Sequence, residues 1–76
     1  MITPDQSRAA RALLKWSRVR LGAKASLGEG TIKDFEDGVR APRPQRCVAM
    51  RRAFESAGVV FTAEGAFFGN RRGNIT

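Results

Sequence analysis

The sequence predicts a mainly α-helical fold, four helices followed by a short C-terminal β-strand or hairpin. Three observations lead there. Apolar residues recur at helical spacing in four segments, capping residues, prolines and glycines punctuate those segments, and the last apolar stretch, Val59 to Phe68, reads as two short β-prone runs.

The first helix is predicted over about residues 4–15. Thr3 can cap it, Pro4 suits its first position, Asp5 faces the positive end of the helix dipole, and Gln6 completes a capping box. Ala10, Leu13 and Leu14 share one face. Arg8, Arg11 and Lys15 recur on another, which reads as a solvated basic row. Trp16-Ser17 breaks the pattern, and Ser17 caps a second helix over 18–25 that turns Leu21 and Ala25 inward. Ser26-Leu27-Gly28 forms a tight break. A third helix is predicted over 29–37, with Ile32 and Phe35 buried and Gly38 as its left-handed C-terminal residue.

Val39 to Pro44, with Pro42 and Pro44, is read as an extended loop. The fourth helix is predicted over 45–57, where Cys47, Met50 and Phe54 recur as core positions and Gly58 is the stop. Cys47 is thereby a buried thiol rather than a reactive one. Strands are predicted at 59–62 and 66–68, joined by Ala63-Glu64-Gly65 in a bulged three-residue turn, with one strand face packed on the fourth helix. Residues 1–68 form one domain and 69–76 a polar, disordered tail.

Composition narrows the function. The 76-residue chain is near the size at which one core only just offsets chain entropy, a marginality that dimerisation would relieve. No apolar run approaches the roughly 18 residues that cross a bilayer, and the first residues lack a basic segment followed by an apolar one. No membrane association or signal peptide is expected, and the location expected is the cytoplasm. With one cysteine and no histidine, the chain offers no disulfide and no usual metal or proton-transfer set. The expectation is a non-enzyme with no metal and no cofactor. Fourteen basic against seven acidic residues give a net charge of +7, which attracts polyanions, nucleic acid first among them. The plain alternative is a basic surface that serves solubility.

The run Arg18-x-x-Leu21-Gly22-x-x-x-Ser26-Leu27-Gly28-x-x-Thr31-Ile32-x-x-Phe35-Glu36-x-Gly38, followed by Pro42, resembles the Xre/Cro-like, phage-repressor-type helix-turn-helix family. The opening Ile2-Thr3-Pro4 to Trp16-Ser17 and the later Ala57-Gly58-Val59-x-Phe61 resemble its small bacterial members. The resemblance spans roughly residues 2–61. It implies a DNA-binding transcriptional regulator with the third helix in the major groove. In that resemblance Glu29, Gly30 and Asp34 are the reading positions, with Thr31 and Lys33 beside them. Arg18 faces phosphate, and Arg40 and Arg43 reach the backbone or the minor groove.

The chain departs from the family pattern at several positions. Ser26 stands where glycine is usual and a positive φ is favoured, at a cost on the order of 1 kcal/mol. Gly28 replaces a capping Ser or Thr, and Arg18 and Glu29 replace the more common residues at their positions. Residues 29–37 hold one basic and four acidic side chains, whereas 1–28 hold six and one and 38–76 hold seven and two. The reading helix is the acidic part of a basic protein, Glu36 is expected to face away from DNA, and affinity should rest on the flanking arginines. Double-stranded DNA is the partner expected, with a homodimer formed through residues 59–68. The alternative is a helix-turn-helix fold repurposed as a protein-binding anti-activator or antitoxin-like regulator, motivated by the acidic helix and the exposed hairpin edge. RNA binding ranks lower, because Trp16 and the phenylalanines read as core rather than as stacking platforms.

Overall fold

Thr3 starts the first helix through a closed capping box. Its hydroxyl accepts the Gln6 N–H at 3.1 Å, and the Gln6 side chain accepts the Thr3 N–H at 2.9 Å. The computed structural model describes residues 1–69. In chain order it holds α1 (Pro4–Leu14), α2 (Arg18–Ala25), α3 (Glu29–Glu36), α4 (Pro44–Ser56), β1 (Val59–Thr62) and β2 (Gly65–Phe68). The architecture is mainly helical with a C-terminal antiparallel hairpin, as the sequence predicts.

Element ends differ from expectation by about one residue, for local reasons. α1 stops at Leu14 because Lys15 is left-handed (φ 59°, ψ 39°) and turns its N–H back to the carbonyls of Ala12 and Arg11. α3 stops at Glu36, and Gly38, left-handed at φ 73°, follows as the expected terminator. α4 begins at Pro44, whose fixed φ suits a first helical position.

The core lies where the four helices meet the hairpin. Leu21, Ile32, Met50 and Phe54 are fully buried, and Trp16 and Phe61 pack on Phe54 from two sides, with ring centroids 5.8 and 5.9 Å away. Burying each such side chain contributes about 1.5–3 kcal/mol. Cys47 is buried among them, as its place in the apolar pattern predicts.

Three expectations are corrected. The basic row of α1 is not wholly solvated: Arg11 turns inward to Glu36, and Arg8, though exposed like Lys15, donates to the Glu36 backbone carbonyl. The hairpin connection is a two-residue turn, Ala63-Glu64, because Gly65 (φ 145°) already belongs to β2 and pairs with Thr62. The hairpin also packs on two helices, β1 on α4 and β2 on α1. At the start of the expected tail, the Gly69 N–H donates to the Gly58 carbonyl at 2.7 Å; the rest of that segment, 70–76, lies outside the described residues. Among the described residues no helix is long and apolar enough to cross a membrane.

Candidate nucleic-acid interface

The α2–α3 junction is built on close backbone approach. A Cβ added at Gly22 would stand 2.6 Å from the Leu27 carbonyl oxygen, so only glycine lets the turn fold back onto α2. The Leu27 N–H closes that turn on the Gly22 carbonyl at 2.8 Å. Ser26 adopts the left-handed conformation expected of its position (φ 59°, ψ 42°). Gly28 caps α3 without a side-chain hydrogen bond, so α3 is held by packing: Ile32 and Phe35 are buried beneath it.

That packing leaves one face of α3 outward. Glu29, Gly30 and Lys33 are exposed, Thr31 and Asp34 are half-buried, and the space around Gly30 is open. Lys33 donates to Asp37 at 2.8 Å, and this hydrogen bond is the main cause holding the Asp37 carboxyl below its usual range. Thr31, Asp34 and Arg40 line one cavity of about 80 Å³ together with Pro42 and Arg46. Arg43 stands exposed at the start of α4, at the N-cap position.

Arg46 is an addition to the sequence-predicted set. In the first turn of α4, it lines the same cavity as Arg40, Thr31 and Asp34. The guanidiniums of Arg40, Arg43 and Arg46 are exposed and make no side-chain hydrogen bond or ion pair among the described residues. Arg40 and Arg46 form a free basic edge at the cavity they share with Thr31 and Asp34 of α3, and Arg43 stands exposed at the N-cap of α4.

Arg18 is placed differently from the open phosphate contact expected of it. Its guanidinium lies 3.3 Å from Glu36 and 3.3 Å from Asp37, and its side chain is 30% exposed. Glu36 is the centre of this cluster, and its side chain is fully buried. Arg11 grips it as a fork, Nε to Oε2 at 2.9 Å and Nη2 to Oε1 at 2.7 Å, while the Ser7 hydroxyl donates to Oε2 at 2.5 Å. Burial pushes the Glu36 carboxyl up, but the hydrogen bonds from Arg11, Ser7 and Arg18 outweigh it and hold the group below the usual carboxylate range. The same hydrogen bond raises the Arg11 guanidinium further. Arg11 also donates to the Trp16 carbonyl at 3.1 Å, so one side chain ties the end of α1 to the end of α3. Two of the four acidic residues of 29–37, Glu36 and Asp37, are therefore paired with cations. With Lys33 engaged by Asp37, the outward charges of α3 without a side-chain partner among the described residues are Glu29 and Asp34.

No protein-family model matches the chain, and no curated protein matches it.

Proposed function

We propose that this chain is a DNA-binding transcriptional regulator of the phage-repressor helix-turn-helix type, reading duplex DNA with α3 in the major groove and acting in the cytoplasm as a homodimer. The observation that supports it best is the free edge of Arg40 and Arg46 beside Thr31 and Asp34 of α3, with Arg43 exposed at the N-cap of α4. Cations with no internal partner, next to a helix held outward by a rigid base, suit phosphate contacts that position and side chains that read. In this reading the arginines supply affinity. Glu29 and Asp34 supply selectivity, since a carboxylate accepts from cytosine N4 in the major groove. Gly30 leaves room for a base edge.

The test is a titration of duplex DNA at several salt concentrations with the intact chain and with Arg40→Ala, Arg43→Ala and Arg46→Ala combined. Each lost phosphate contact should lower the magnitude of the log K against log salt slope by about 1. A triple variant with unchanged affinity and slope would remove this footprint.

A second reading has its own observation. Val60, Phe67 and Phe68 leave apolar surface on the hairpin, as a helix-turn-helix fold repurposed for binding a protein, anti-activator or antitoxin-like, would need. An intact chain that fails to bind any duplex at low salt would favour it.

A further inference from the structure

A single carboxylate holds two of the cations around α3. Asp37, at the C-cap of α3, accepts from the Lys33 ammonium on Oδ2 at 2.8 Å. Nη2 of Arg18, the first residue of α2, donates to its Oδ1 at 3.3 Å, and Nε of the same guanidinium reaches Glu36 at 3.3 Å. Arg40, Arg43 and Arg46 have no such acceptor among the described residues. The cations of the candidate interface thus fall into a held pair and a free three, and Asp37 is the acceptor that the held pair shares.

Charge and shape say what Asp37 imitates. A backbone phosphodiester spreads one negative charge over two non-bridging oxygens, and a carboxylate does the same; ammonium and guanidinium donors meet both through charge-assisted hydrogen bonds. Asp37 gives one oxygen to a cation of α3 and the other to a cation of α2, the two helices of the helix-turn-helix. Lys33, with Arg18 adding to its effect, keeps the Asp37 carboxyl below its ordinary range, so it is charged at neutral pH. The side chains of Lys33 and Asp37 are 57% and 35% exposed, unlike the buried grip of Arg11 on Glu36. Exposed pairs of this kind are weak, and a second anion can compete for their cations.

We propose that Asp37 is an internal stand-in for a backbone phosphate, a positioning residue that holds Lys33 and Arg18 off the DNA backbone and lowers affinity for every sequence alike. Its DNA step rests on the regulator reading above; the clamp itself does not. A chain of net charge +7 is drawn to any duplex, and specificity is the ratio of site affinity to that background. Withholding two cations that meet only phosphate lowers the background and leaves base contacts the larger share of binding. In this way an acidic residue at the end of the reading helix serves selectivity without touching a base.

The experiment titrates a random-sequence duplex, from about 50 to 200 mM salt, with the intact chain, Asp37→Asn, Lys33→Ala and the double variant, each shown to be folded by circular dichroism. Asp37→Asn should raise the magnitude of the log K against log salt slope by about 1–2, one unit for each cation released. Lys33→Ala should leave the slope of the parent nearly unchanged, because its ammonium is already neutralised, yet take back about one unit in the Asp37→Asn background. That coupling separates release of a cation from simple loss of a negative charge. An Asp37→Asn slope equal to the parent's overturns the proposal, as does a gain that persists in full without Lys33. The Asp37 carboxyl, followed by NMR in the free proteins, should rise toward its ordinary value in Lys33→Ala. Failure of every chain to bind duplex sinks the regulator reading and the DNA step with it; a carboxyl that rises then upholds the clamp, and one that stays put overturns it.

Discussion

Glu36 is the residue on which the helical arrangement turns. A buried carboxylate held by Arg11, Ser7 and Arg18 joins α1, α2 and α3, and removing one partner of such a pair leaves charge without compensation, at a cost of about 3–5 kcal/mol. The pH dependence follows from the direction of its shift. Because folding lowers the Glu36 pKa, its contribution is fully present above the unfolded value of about 4.3 and is lost as pH falls through the lower folded value. We therefore expect urea unfolding of the intact chain to lose stability steadily below about pH 4.3. Glu36→Gln should be less stable at pH 7 by on the order of 3 kcal/mol, with a flatter profile across the acid range. Equal acid sensitivity in the two proteins would move the effect to other carboxylates. Little of this cluster was legible in the sequence. Arg11 and Glu36 are 25 residues apart, and the period that aligned Arg11 with Arg8 and Lys15 gave the row but not its orientation, which depends on where α3 packs.

At the scale of elements, local chemistry carried most of the information. The Thr3–Gln6 box, the Ser17 cap, the Ser26 left-handed turn and the Gly38 terminator are set by interactions within a few residues, and each stands where the residues place it. The Ala63-Glu64 turn was misjudged because Gly65 satisfies either a three-residue loop or a first strand position, and the pairing with Thr62 decides. The α2–α3 junction yields a prediction of opposite signs. Ser26→Gly relieves a left-handed serine and should raise stability by about 1 kcal/mol. Gly22→Ala should lower it even though alanine is the better helix former by about 1 kcal/mol, since the new methyl meets the Leu27 carbonyl and crowding of that kind costs about 1–3 kcal/mol. Gly30, where an added Cβ meets nothing within 4 Å, is the internal control at which alanine should be tolerated. Thermal melts of the three variants check the order, and a Gly22→Ala protein as stable as its parent would mean that the turn can relax away from α2.

At the scale of the whole molecule, the hairpin is a wall of the core. Val59 is 2% exposed, Phe61 meets Phe54 edge-on, and Ala66 packs on the same cluster, so β1 covers α4 while β2 covers α1. Domains of this size are stable by about 4–11 kcal/mol on the usual per-residue scale. Burying Val59 alone contributes about 1.5–3 kcal/mol, and Phe61 adds a further share. Ending the chain at Gly58 would remove both and open Phe54 and the inner side of α1 to water, which brings the remainder close to zero net stability. The truncated chain should melt without a cooperative transition by circular dichroism, whereas Phe67→Ser, confined to the outer side with Val60, should melt within a few degrees of the parent. A truncated chain that keeps a sharp transition near the parent temperature would show that the four helices form a self-sufficient core. The contrast matters for assembly, because strand alternation assigns folding to Val59, Phe61 and Ala66 and leaves Val60 and Phe67 free, so point changes on the outer face can probe association while the fold stays intact.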